Sequence, residues 1–90
     1  MAEIFRALND KTEQVQPKNG NDFSLEELQA IVKGYVQTVY LSNDKVMVMN
    51  EEGKLLGLDY NMKATMLLRL NGYYDYVVGD VLICESSEIK

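Results

Sequence analysis

Phe23-Ser24-Leu25-Glu26-Glu27-Leu28 commits one place in this 90-residue chain to a helix start, and every other segment has to be arranged around it. The Ser24 hydroxyl can accept an orphan backbone N–H of the first turn. Glu27, three residues on, can reach back to the cap's own N–H, which is the spacing of a capping box. Phe23, just before the cap, can pack on Leu28 as a hydrophobic staple. Leu25, Leu28, Ile31 and Val32 recur at helical spacing and share a face. Gly34 follows Lys33 and suits a left-handed C-terminal cap. The pattern predicts a helix over residues 25–33.

The flanking segments carry strand patterns. Residues 3–8 interleave Glu3, Arg6 and Leu8 with Ile4, Phe5 and Ala7 and predict a first strand. Asn9-Asp10-Lys11 is a turn signal. Residues 12–17 then predict an edge strand that Pro17 ends, and residues 18–22 are loop by composition. Residues 35–41 are β-branched and aromatic, as strands prefer. Ser42-Asn43-Asp44-Lys45 is a hairpin turn. Val46-Met47-Val48-Met49 returns with apolar side chains on both faces, as a central strand does. A second turn at Asn50-Glu51-Glu52-Gly53 leads to a short strand or extended arm over 54–57, closing a three-stranded meander. Asn61 caps a second helix with Met62, Met66, Leu67 and Leu70 on its apolar stripe and Ala64 and Leu68 beside it. Asn71-Gly72 ends that helix. Residues 77–84 predict the last strand, with Gly79 marking a bulge or a close approach, and residues 85–90 are a polar tail expected to fray. The expected fold is α+β: one domain over residues 1–90, a mainly antiparallel sheet of about five strands, and two helices packed on one face of it.

Composition removes several function classes. Fourteen acidic residues against nine basic ones give a net charge of −5. Phosphate backbones reward clustered Lys and Arg, and the basic residues here are scattered, so direct nucleic-acid binding is disfavoured. The charge suits solubility or a basic partner. There is no histidine, and Cys84 is the one cysteine. It sits in the apolar run Val81-Leu82-Ile83-Cys84, where a small buried hydrophobe is expected rather than a nucleophile. The first residues lack a basic segment followed by a long apolar one, and no stretch approaches the ~20 apolar residues of a membrane-spanning helix. A cytoplasmic protein without a membrane association is expected.

The chemistry-bearing residues form no familiar constellation. A zinc site lacks ligands. Residues 44–59 do not place carboxylates at the alternate positions of a calcium loop. Glu26 and Glu27 are accounted for by capping and the helix dipole. Glu51 and Glu52 are adjacent turn residues, not a pair facing across a cleft. The glycines form no phosphate-cradling pattern, and the serines have no basic partner for a triad. No catalytic residue, metal or cofactor is expected. Tyr73, Tyr74 and Tyr76 cluster ahead of the last strand, and tyrosines make good interface anchors as well as stacking platforms for bases.

Taken together, Phe23-Ser24-Leu25-Glu26-Glu27-Leu28-Gln29, Gly34-Tyr35-Val36, Asn50-Glu51-Glu52-Gly53-Lys54-Leu55, the Asn61 to Thr65 helix start and Val77-Val78-Gly79-Asp80-Val81-Leu82-Ile83 resemble a small domain family of unknown function found mostly in phages and mobile elements. The resemblance spans about residues 23–84. It implies no enzymatic activity and a mobile-element context. The expected function is a non-catalytic interaction module that binds a protein partner, with a homodimer also open to it. Asn50, Glu51, Glu52, Tyr60, Asn61 and Tyr76 are the expected binding residues, because they sit in loops beside rigid elements. A nucleotide-sequestering protein is the second reading, with tyrosines stacking a base and helix N-termini at Leu25 and Met62 meeting phosphates. An acidic DNA mimic of the anti-restriction kind is the third.

Overall fold

A computed structural model describes residues 2–9 and 11–89. Asp10 of the expected turn and Lys90 of the expected tail lie outside the described residues. Five strands form one sheet: β1 (Ala2–Phe5), β2 (Thr12–Val15), β3 (Val36–Tyr40), β4 (Lys45–Asn50) and β5 (Val81–Glu85). Their order is β2-β1-β5-β4-β3, and every neighbouring pair is antiparallel. The helices are α1 (Leu25–Val32), a single turn α2 (Gly53–Leu56) and α3 (Met62–Leu70). The α+β class and the antiparallel sheet therefore hold. No helix of the described residues is long and apolar enough to cross a membrane.

The helices do not share a face of the sheet. Side chains alternate along a strand, and β4 and β5 are apolar on both sides. Val46, Val48, Leu82 and Cys84 turn one way, with Ala2 and Ile4, and pack beneath Phe23, Leu28 and Val32. Met47, Val81 and Ile83 turn the other way and pack beneath Ala64, Leu68 and Val77. A sheet with two apolar faces has to be covered twice, so α1 lies on one side and α3 on the other. Phe23 is fully buried and worth about 1.5–3 kcal/mol of transfer energy. It fills the end of the first core that Leu25 leaves, for Leu25 is exposed.

The α1 start is as the sequence predicts. Glu27 N–H donates to Ser24 Oγ at 3.2 Å, and Ser24 N–H donates to Glu27 Oε1 at 3.0 Å. Lys18 N–H adds a further bond to the same carboxylate. These backbone donors hold the Glu27 carboxyl below the usual range. The C-terminal end differs from expectation. Lys33, not Gly34, takes the left-handed conformation (φ 64°). Gly34 is needed for space: a Cβ there would lie 2.8 Å from Nδ2 of Asn50, which donates to Val32 O and Lys33 O and satisfies the end of the helix.

Four further segments depart from the sequence reading. Residues 53–56 form a helical turn, not a strand, closed by left-handed Gly57 (φ 68°), so there is no three-stranded meander. In α3 the buried side chains are Ala64, Thr65 and Leu68, while Met62, Met66 and Leu70 are exposed. Polar anchors set that rotation. Asn61 caps the helix from a fully buried position, and Thr65 Oγ1 accepts from Val77 N–H at 2.8 Å. Hydrogen bonds that must be made inside outweigh the apolar count of the stripe, and Ala64 lets the helix approach closely. Finally, β5 begins at Val81. Residues 77–79 pair instead with 59–61, through Asn61 N–H to Val77 O and Gly79 N–H to Asp59 O. Gly79, left-handed at φ 79°, separates the two extended pieces. The segment expected to fray is held to Ile89 by a 3-10 turn (Ser86–Glu88) and a bridge between Ile89 and Phe23.

Candidate functional site

On the α3 side, the β3–β4 end of the sheet carries a groove of about 300 Å³. Its floor is Gln37 and Val39 of β3 and Met49 of β4. Its walls are Glu51, Lys54 and Leu55 from α2 and the turn before it, and Tyr73, Asp75 and Tyr76 from the loop between α3 and β5. Local chemistry fixes each wall. Asn50 Oδ1 accepts from Glu52 N–H at 2.8 Å and starts the α2 turn. A Cβ on Gly53 would meet Val78 at 2.8 Å, so only glycine lets α2 sit this close to residues 77–79. The hairpin turn between β3 and β4 puts Asn43 and Asp44 in the left-handed region, the type I′ geometry that matches strand twist. Asn71 receives Ser42 N–H and ties that hairpin to the end of α3.

The aromatic wall is held by charge. Lys54 Nζ donates to Asp75 Oδ1 and lies 4.1 Å from the centroid of the Tyr76 ring. Tyr76 N–H donates to the same carboxylate oxygen at 2.7 Å. The Lys54 bond first, then the Tyr76 N–H, hold the Asp75 carboxyl below its usual range. Asp75 is therefore a fixed anion at neutral pH and not a proton donor. Tyr73 Oη donates to Tyr40 O at 2.7 Å, fastening the loop to the end of β3. The rings of Tyr60 and Tyr76 lie 6.4 Å apart, tilted by 34°. Leu55 is 87 % exposed and Tyr76 45 %.

The six residues expected to bind divide into three groups. Glu51 and Tyr76 line the groove, and Tyr60 stands behind Tyr76. Glu52 faces away, into a hollow with Gln29, Lys33 and Tyr35. Asn50 and Asn61 are buried structural ties. Asn50 borders the groove, but its amide is engaged by backbone at both ends. Asn61 Oδ1 accepts from Ala64 N–H at 3.0 Å, while its Nδ2 donates to Phe5 O and Gly79 O at 2.9 and 2.8 Å. Lys54, Asp75 and Leu55 line the groove without a sequence signal that marks them. Lys54 and Asp75 are 21 residues apart, and no local pattern joins them.

Elsewhere, Arg6 bridges Asp80 at 2.8 Å and Glu13 at 2.9 Å. Burial alone would raise the Asp80 carboxyl, but Ala7 N–H and Arg6 overcome it and the net shift is downward. Cys84 is buried, and burial pushes its thiol up to about 12, so it is not a thiolate near neutrality. Among the described residues no three His, Cys, Asp or Glu side chains gather as a metal site would require. The groove sets exposed leucine and tyrosine surface beside the Lys54–Asp75 pair and the Glu51 carboxylate.

The chain belongs to the family described as Domain of unknown function (DUF3846), whose model matches residues 6–89. Membership of a small family of unknown function is what the motifs implied. No curated protein and no solved structure matches the chain.

Proposed function

We propose that this member of the family is a non-catalytic interaction module of a phage or mobile element, and that it grips a partner protein in the groove walled by Leu55, Tyr73 and Tyr76. The observation that carries the reading is the preset aromatic wall. Tyr76 is half exposed, yet its place is fixed by Lys54, Asp75 and Tyr60. Tyrosines already held in place lose little freedom on binding, which is what interface anchors require. Glu51 at the rim and a chain charge of −5 favour a partner that brings an apolar side chain flanked by cations.

The rival readings have less geometry behind them. Ser24 and Asn61 already occupy the N-termini of α1 and α3, where the nucleotide reading needs phosphate contacts. A DNA mimic needs open carboxylates, whereas Glu13, Asp75 and Asp80 are engaged by Arg6 or Lys54. The test is affinity capture from lysate with wild type, Tyr76→Ala, Leu55→Asp and the remote Leu8→Ala. A partner kept by wild type and Leu8→Ala but lost by both groove variants, and protecting residues 73–76 from hydrogen exchange once purified, supports the reading. Partners that survive both groove substitutions overturn it.

A further inference from the structure

The two edges of the sheet are built differently. The β2 edge carries Glu13, is preceded by Lys11 and is followed by Pro17, which are the devices that keep edges from pairing. The β3 edge has none of them: from Tyr35 to Leu41 there is no charge, proline or glycine. Glu51 N–H bonds Tyr35 O, and Leu41 N–H bonds Lys45 O. Peptide direction alternates along an antiparallel ladder, so residues 35, 37, 39 and 41 turn their backbone groups to β4. Val36, Thr38 and Tyr40 aim theirs outward. The Tyr73 hydroxyl meets only the last of these, at Tyr40 O, whose second lone pair is left for a strand alongside.

We propose that the β3 edge pairs antiparallel with the β3 edge of a second copy of this chain, about a two-fold axis at Thr38, to give one continuous sheet. The strand is self-complementary in that register. Thr38 faces Thr38 of the second copy, Val36 faces its Tyr40, Gln37 its Val39 and Tyr35 its Leu41. Aromatic–β-branched and Thr–Thr cross-strand pairs are favourable ones. Residues of the same parity meet, so both α1 helices fall on one face and both grooves on the other. A ribbon of two five-residue strands makes a small interface, under about 1,200 Å² in total, and such contacts are weak and reversible. The inference stands on the β3 edge and does not depend on what the groove binds.

The test is sedimentation of the full chain from low micromolar to millimolar concentration, with T38E and T38K beside the wild type. Thr38 is exposed, so both variants should fold, and circular dichroism checks it. The wild type should pass reversibly from monomer to dimer. Each variant sets like charges face to face and should bind itself at least about tenfold more weakly. An equimolar mixture of T38E and T38K should dimerise again. A wild type that stays monomeric throughout overturns the proposal, as does a T38E dimer as tight as wild type or a mixture no tighter than its components. Tyr76→Ala should dimerise normally, so a failed groove and a failed edge give different results.

Discussion

Replacing Asn61 by alanine tests whether a residue that looks like a loop-borne binding group is a structural tie. Its side chain is fully buried and makes three hydrogen bonds, one as the cap of α3 and two as a donor to Phe5 O and Gly79 O. Loss of an N-cap costs about 1 kcal/mol, and each of the other two bonds about 1 kcal/mol more. The sum, about 3 kcal/mol, is a large part of the 5–15 kcal/mol typical of a domain. It corresponds to a fall in Tm of roughly 12–24 °C for a chain of this size. Asn61→Ser keeps a cap oxygen but not the two donors, so it should lose about 2 kcal/mol, between wild type and alanine. Urea unfolding followed by circular dichroism measures all three. An alanine variant within about 0.5 kcal/mol of wild type, the scatter of ordinary surface changes, would refute the tie and return Asn61 to the binding surface.

Other expectations follow from the same contacts. Gly34→Ala should displace Asn50 and cost about 1–3 kcal/mol, while adding little to Asn50→Ala; strict additivity in a double-mutant cycle would contradict the contact. The Asp80 carboxyl is held below its unfolded value, so the native state binds fewer protons than the unfolded chain between the two pKa values. That stability is complete above the unfolded pKa near 4 and is lost as pH falls through the native one. Urea midpoints of Asp80→Asn should therefore fall less steeply below pH ~4 than those of wild type, and equal slopes would count against the Arg6–Asp80 pairing. Cys84 should be silent to a thiol reagent at pH ~8 in native protein and react fully in urea; fast labelling of native protein would show that its strand opens.

What was legible in the sequence was local. The α1 start and the β3–β4 hairpin depend on residues within a few positions of each other, and Ser24, Glu27, Asn43 and Asp44 stand where those rules put them. The face of α3 was not legible, because Asn61 and Thr65 are fixed by Phe5, Val77 and Gly79 from distant parts of the chain. A count of methionines and leucines favours the wrong stripe when buried hydrogen bonds choose the right one. The strand–helix ambiguity at residues 54–57 is the ordinary one for a short apolar run. The groove is less legible still. Tyr76 and Glu51 belong to it, but the pair that shapes it, Lys54 and Asp75, joins two loops with no shared motif.

Site-specific photo-crosslinking in living cells tests the groove most directly. A photoreactive residue placed at Leu55 or Gln37, both exposed and both lining the groove, should give the same discrete adduct with one partner, and a control at Leu8 should not. Equal adducts from all three positions, or none from Leu55 and Gln37, would contradict an interaction module that works through this groove.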